Sequence, residues 1–208
     1  MITSAELLAD VCGFLQIRTE DRDRFQVYQS LTLAQIHLLN ILEPRFLTAC
    51  IETQTANLTA NTASYTWDEE WHVARALGLW VNYAAAITDQ SPGVEAAMVN
   101  DTAIFQRCNL DRLPTMEHPQ YTLGIAGGFE LRPIPTQNVT NGYRVRFVAS
   151  PRPVTQSENA AVDYGLKPLL VYYATALSAT VENYSPQIHQ SMMALYAEEL
   201  KQFLPKAL

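Results

Sequence analysis

Tyr121-Thr122-Leu123-Gly124-Ile125-Ala126-Gly127-Gly128-Phe129-Glu130-Leu131-Arg132-Pro133-Ile134 decides how the middle of the chain is read. Two apolar-rich runs flank an Ala-Gly-Gly turn, and paired glycine supplies the positive φ of a tight connection. Residues 121–125 and 129–134 are therefore expected to form a hairpin. Asn141-Gly142 is a second turn signal. The strand expected after it alternates: Tyr143, Val145, Phe147 and Ala149 share one face, and Arg144, Arg146 and Val148 the other. Pro151 and Pro153 end the sheet region.

Upstream of the hairpin, residues 46–53 have strand-like content, and Tyr65-Thr66-Trp67 suggests a second strand after a polar turn region. Residues 73–83 carry Val73, Leu77, Leu79 and Val81 on one parity, which fits a strand, with a helix as the alternative. Residues 94–108 read as a short helix with Val94, Met98, Phe105 and Cys108 inward.

Helices are expected on both flanks. Thr3 and Glu6 have capping-box spacing, and Leu7, Leu8, Val11 and Leu15 fall on one helical face. A second helix spans about 32–42, with Leu33, Ile36, Leu39 and Asn40 sharing a face, and Pro44 ends it. Residues 166–183 are apolar nearly all round, as expected of a helix buried on several sides. Ser185-Pro186 is an N-cap with Pro at the first helical position. It opens a last helix with Ile188, Met192, Leu195, Tyr196 and Phe203 inward. The fold expected is α+β: a four-helix bundle formed by N- and C-terminal helix pairs with a central β-rich insertion. Residues 1–45 are its N-terminal helical part, 46–153 the β-rich insertion with a short helix, and 154–208 the C-terminal helical part and tail, one domain overall.

Composition narrows the class. The chain has 208 residues, 48% hydrophobic and 17% charged; charged residues usually make up about a quarter of a soluble chain. Disorder is excluded as the main state, because disordered chains are apolar-poor and charge-rich. The most apolar stretches are too short or too polar for a spanning helix, so no membrane association is expected. Met1-Ile2-Thr3-Ser4-Ala5-Glu6 lacks the basic start of a signal peptide, which leads to an expectation of cytoplasmic synthesis. Cys12, Cys50 and Cys108 are far apart and read as buried thiols rather than a disulfide framework or zinc site. Net charge is −7, which argues against nucleic acid as a high-affinity ligand. Residues 1–104 hold 5 basic and 13 acidic side chains, and residues 105–208 hold 9 basic and 8 acidic.

Catalytic patterns are missing. His37, His72, His118 and His189 show no metal-ligand spacing, Glu69-Glu70 reads as a solvated pair, and there is neither a nucleophile elbow nor a P-loop. The expectation is a non-enzyme with no catalytic residues, no cofactor and no metal. Tyr172, Tyr173, Tyr184 and Tyr196 crowd the last two helices, which suits helix packing or a subunit interface. Arginine outnumbers lysine 11 to 3, which suits fixed planar contacts with carboxylates.

The order of segments resembles the head-to-tail adaptors (head completion or connector proteins) of tailed bacteriophages. The resemblance runs through Leu15-Gln16-Ile17, Leu38-Leu39-Asn40, Arg45-Phe46-Leu47 and the Thr/Ala-rich stretch closing at Tyr65-Thr66-Trp67. It continues through Gly128-Phe129-Glu130-Leu131-Arg132-Pro133-Ile134-Pro135 and the strand from Tyr143 to Pro151, and ends in Ala194-Leu195-Tyr196-Ala197-Glu198-Glu199-Leu200. It implies a structural virion protein, made in the host cytoplasm and located at the portal vertex, that forms a dodecameric ring under the portal protein. The ring extends the DNA channel, lets DNA pass without sequence-specific binding, and connects to a tail or nozzle protein. Three groups of residues acquire roles under it. Lys201, Phe203, Leu204, Lys206 and Leu208 are candidates for portal binding. Arg132, Arg144, Arg146, Tyr172 and Tyr196 are candidates for a subunit or tail interface. Glu20, Asp21 and Asp23 are acidic candidates facing the channel. The alternatives are another small tail-completion or nozzle protein, or a small soluble enzyme or ligand-binding protein.

Overall fold

The structure, a computed structural model, describes residues 2–18, 24–100, 114–124, 127–181 and 186–204. It divides into two compact units, Met1–Ile51 with Ser150–Leu208, and Glu52–Ala149.

The first unit is helical. Among the described residues its helices are α1 (Ser4–Leu15), α2 (Arg24–Ile41), α3 (Lys167–Val181) and α4 (Pro186–Leu200). The expected capping box opens α1: Thr3 Oγ1 accepts from the Glu6 amide at 3.3 Å, and Glu6 Oε2 accepts from the Thr3 amide at 3.1 Å. Such a cap stabilises a helix by ~1 kcal/mol. Leu7, Leu8, Val11 and Leu15 are buried, as their spacing predicts. α1, α2 and α4 all pack on α3. That helix buries Leu169, Leu170, Val171, Ala174, Ala176 and Ala179, so its all-round apolarity does mark a helix covered on several sides.

The chain returning from the sheet unit is tied to the helices by buried polar groups. Gln35 is fully buried; its Nε2 donates to the Arg152 carbonyl at 3.3 Å, and its Oε1 accepts from the Ala161 amide at 2.7 Å. Thr32 Oγ1 accepts from the Val154 amide at 3.0 Å, and the Ser4 amide donates to Asn159 Oδ1 at 3.0 Å. Each backbone group so paired avoids the penalty of an unsatisfied buried donor or acceptor.

The second unit is a sheet of seven strands: β1 (Ile51–Leu58), β2 (Ser64–Thr66), β3 (Val73–Val81), β4 (Val94–Met98), β5 (Gln120–Gly124), β6 (Gly128–Arg132) and β7 (Val139–Ala149). Their order is β1-β7-β3-β4-β5-β6-β2. β4 and β5 run parallel, while β3–β7, β3–β4, β5–β6 and β2–β6 are antiparallel. The sheet curls into a half-barrel. Phe129 on β6 stacks its edge on Tyr143 of β7 at 5.2 Å although β3, β4 and β5 stand between these strands. The concave core holds Leu58, Leu79, Val81, Tyr121, Phe129, Leu131, Tyr143, Val145 and Phe147. Gly128 lets the curl close on its last strand, since a Cβ there would run into the Tyr65 carbonyl.

The expected four-helix bundle with a central β-rich insertion is therefore wrong as a description of the fold. The sheet is a large curled mixed structure with a core of its own, not a small addition to helices. Several local readings change with it. Residues Val94–Met98 are strand β4, not the start of a helix; Val94 and Met98 share the face of Ala96 but are exposed, and only Ala96 is buried. The remainder of that expected helix, with Phe105 and Cys108, lies outside the described residues. Residues 46–50 form the end of one 3₁₀ turn, Pro44–Phe46, the joint at Leu47 and a second turn, Thr48–Cys50, and the strand starts at Ile51. Asn141-Gly142 makes no hairpin turn. Asn141 has φ 52°, but β7 runs straight through it, and the carbonyls of Asn141 and Gly142 accept from Ile87 and Asn82 at 2.8 Å each. The dipeptide places a bulge-like irregularity inside a strand, a use of left-handed residues that resembles a turn in sequence. The 121–134 hairpin forms with Leu123 opposite Phe129 and Gly124 opposite Gly128.

Candidate functional site

An apolar face open to a partner lies on α2. This helix is apolar on two sides. Val27, Leu31, Ala34, Leu38 and Leu39 are buried, while Phe25, Leu33, Ile36 and Ile41 are exposed, Phe25 by 68% and Leu33 by 57%. Sequence periodicity puts Leu33 and Ile36 on one face with Leu39 and Asn40, and of these four only Leu39 is buried. The helix instead turns Thr32 and Gln35 toward the return segment, where they hydrogen-bond to Val154, Arg152 and Ala161. The polar anchors, not apolar count, choose the inward face. Phe25 drew no notice in the sequence; its only signal is a large apolar residue beside a charged loop.

Beside this face is a groove of about 690 Å³, between Phe25, Tyr28, Gln29 and Leu33 of α2 and residues 153–156 of the return segment. Among the described residues Arg24 is the one charged side chain lining it. The volume lies within the ~300–1,000 Å³ of small-molecule sites, but among the described residues no acid–base pair or metal-ligand set lines it.

α2 and α4 meet through aromatic groups. The His37 ring stacks on Tyr173 at 4.3 Å and 6°, and its Nε2 lies 3.0 Å from the Tyr196 hydroxyl. Burial lowers the His37 pKa below its ordinary value, and burial followed by the nearby Tyr173 raises that of Tyr196 to about 12. Both groups are thus held neutral near pH 7. Tyr196, a candidate interface residue, is buried by its own unit, and Tyr172 packs its edge on Phe14 at 6.0 Å.

The other candidates are spread out. Arg144 and Arg146 sit on β7, the first half-buried and 3.4 Å from Asp89 Oδ1, the second exposed. Arg132 is on β6, four places along the strand order, so the three arginines do not stand on neighbouring strands. Lys201 is exposed and pairs with Glu198 at 2.7 Å. Phe203 packs its edge on Phe46 at 5.3 Å, and Leu204 is exposed. Glu20, Asp21, Asp23, Lys206 and Leu208 lie outside the described residues.

Asp68, Glu69, Glu70 and His72 form a local turn: Asp68 Oδ1 accepts from the Glu70 amide at 3.0 Å and caps the 3₁₀ turn Glu69–Trp71. Among the described residues no group of three or more His, Cys, Asp or Glu is placed to hold a metal ion, and no helix is long and apolar enough to cross a membrane. No family model matches the chain, and no curated protein matches its sequence.

Proposed function

We propose that this chain is a head-to-tail adaptor of a tailed bacteriophage, a structural protein whose copies form a dodecameric ring under the portal. The observation that supports it most is the outward apolar face of α2 with its groove. A working monomer gains nothing from exposing Phe25, Leu33 and Ile36, whereas a subunit covered by neighbours buries them. Contiguous apolar exposure of this kind marks interaction surfaces. The segment order that resembles the adaptor family is the second support.

In this reading the C-terminal segment, with Lys201, Phe203, Leu204, Lys206 and Leu208, docks on the portal. Truncation after Glu199 is expected to abolish portal binding in co-sedimentation while the helical unit stays folded; undiminished binding rejects the assignment. Arg144 and Arg146 face a tail protein or neighbouring subunit. The double reversal Arg144→Glu/Arg146→Glu is then expected to reduce ring or tail assembly, and the single reversal Arg146→Glu, at the exposed position, to do so with unchanged circular dichroism. Electron microscopy of purified portal mixed with this protein tests the whole reading. It is expected to show an added ring beneath the portal; a bare portal at saturating protein, with turnover of a small molecule by the monomer, supports the enzyme alternative instead.

A further inference from the structure

The sheet has two edges, because β1 and β2 stand at the ends of the strand order. An edge strand presents unpaired backbone N–H and C=O groups, and folded proteins blunt it with shortness, lysine, proline or inward charge. β2 is blunted by its three residues. β1 lacks the first three, and its one charge on the parity of Ala56 and Leu58, Glu52, stands near an end and is exposed. Ile51-Glu52-Thr53-Gln54-Thr55-Ala56-Asn57-Leu58 is eight residues long, contains no Lys, Arg or Pro, and carries one charge, Glu52, near one end. Ile51, Thr53 and Thr55 are β-branched and suit an extended backbone. Among the described residues β7 alone pairs with it, and Glu52, Thr53 and Asn57 are exposed.

We infer that β1 is a docking edge for β1 of a second copy of this chain, the two strands antiparallel about a two-fold axis normal to the sheet. The sequence of β1 is self-complementary in that arrangement. A pair centred on Gln54 sets Gln54 opposite the second copy's Gln54, Thr53 opposite its Thr55 and Glu52 opposite its Ala56. Threonine pairs across strands are favourable, and like charges directly opposite one another are not; here the two Glu52 carboxylates lie at opposite ends. The other edge is the poorer occupant, since β2 covers only three of the eight residues. Eight residues of edge pairing bury less than the roughly 1,000 Å² of a specific stable interface, so the pair forms at high concentration and opens on dilution. A cyclic ring is built from heterologous contacts, whereas this pair is isologous. It is therefore not a ring contact; it rests on the sheet edge alone and stands or falls independently of the adaptor reading.

Sedimentation velocity of the full chain over a rising concentration series tests it, with two variants, Thr53→Lys/Thr55→Lys and Thr53→Glu/Thr55→Glu. The wild type is expected to shift from monomer to dimer, each variant to stay monomeric with unchanged far-ultraviolet circular dichroism, and an equal mixture of the two to dimerise again. A wild type monomeric at every concentration overturns the inference, as do variants that dimerise like the wild type or a mixture that stays monomeric. If either variant loses its sheet signal, hydrogen exchange on the wild type decides: β1 amides gain protection with concentration, and protection that does not change overturns the pairing.

Discussion

His37 stacks flat on Tyr173 with its Nε2 at the Tyr196 hydroxyl, in a site that favours the neutral ring. Its folded pKa lies below the ordinary 6.5, so the folded state takes up this proton less readily than the unfolded chain. The sign follows: the contribution is fully present above about pH 6.5 and is lost as pH falls through the folded value. Urea midpoints are expected to drop between about pH 7.5 and about pH 5.5, and to drop less in His37→Gln, the difference isolating this group from the carboxylates. A slope unchanged by the substitution would show that His37 does not titrate against a buried site. A second residue-scale test concerns Gly142, where an added Cβ would lie 2.9 Å from both Leu58 Cγ and Val139 Cβ. Gly142→Ala is expected to destabilise the sheet unit by about 1–3 kcal/mol, as overpacking does, read from its thermal or urea midpoint. The sequence signalled Gly142 correctly as special and wrongly as a turn. A glycine that admits a neighbour and a glycine that turns the chain look identical until the neighbour is known.

At the scale of the element, α2 separates the legible from the hidden. α1 could be read from its cap and stripe because both are local. α2 carries apolar residues on two faces, so period alone could not say which faces in. The decision rests with Gln35 and Thr32, whose partners Arg152, Ala161 and Val154 are more than a hundred residues away. Two substitutions, one on each face, measure the outcome. Leu31→Ala, at a fully buried position, is expected to cost about 2–5 kcal/mol. Leu33→Gln is expected to change stability by no more than about 0.5 kcal/mol. Equal losses at both positions would mean that Leu33 is packed as tightly as Leu31, against the outward face described for it. The same argument explains β4: Val94-Glu95-Ala96-Ala97-Met98 has good helix formers and one inward residue, and pairing with β3 on one side and β5 on the other overrides propensity.

At the scale of the whole molecule, the helices on both flanks and the strands in between were visible in sequence, but not the rank of the sheet. Its core is assembled by residues such as Tyr65, Phe129 and Tyr143, each contributed by a strand with at least one partner remote in sequence. Short strands with one or two inward side chains give weak local signals, and only the curl makes them a core. Low charge and high apolar fraction retain their force here. Part of the apolar surface serves the two cores, and part stays outside on α2, at Tyr164 and at Leu195. Candidate site residues were less legible than the fold, because an interface has no spacing rule of the kind that metal ligands or nucleophiles obey. The most direct test of the claim that α2's outer face is an assembly surface is mass photometry of purified portal with wild-type protein and with Leu33→Gln/Ile36→Gln. The account predicts that the wild type adds the mass of a complete ring and that the variant, equally folded, adds little; a variant that loads the portal like the wild type, or a wild type that adds no mass, would contradict it.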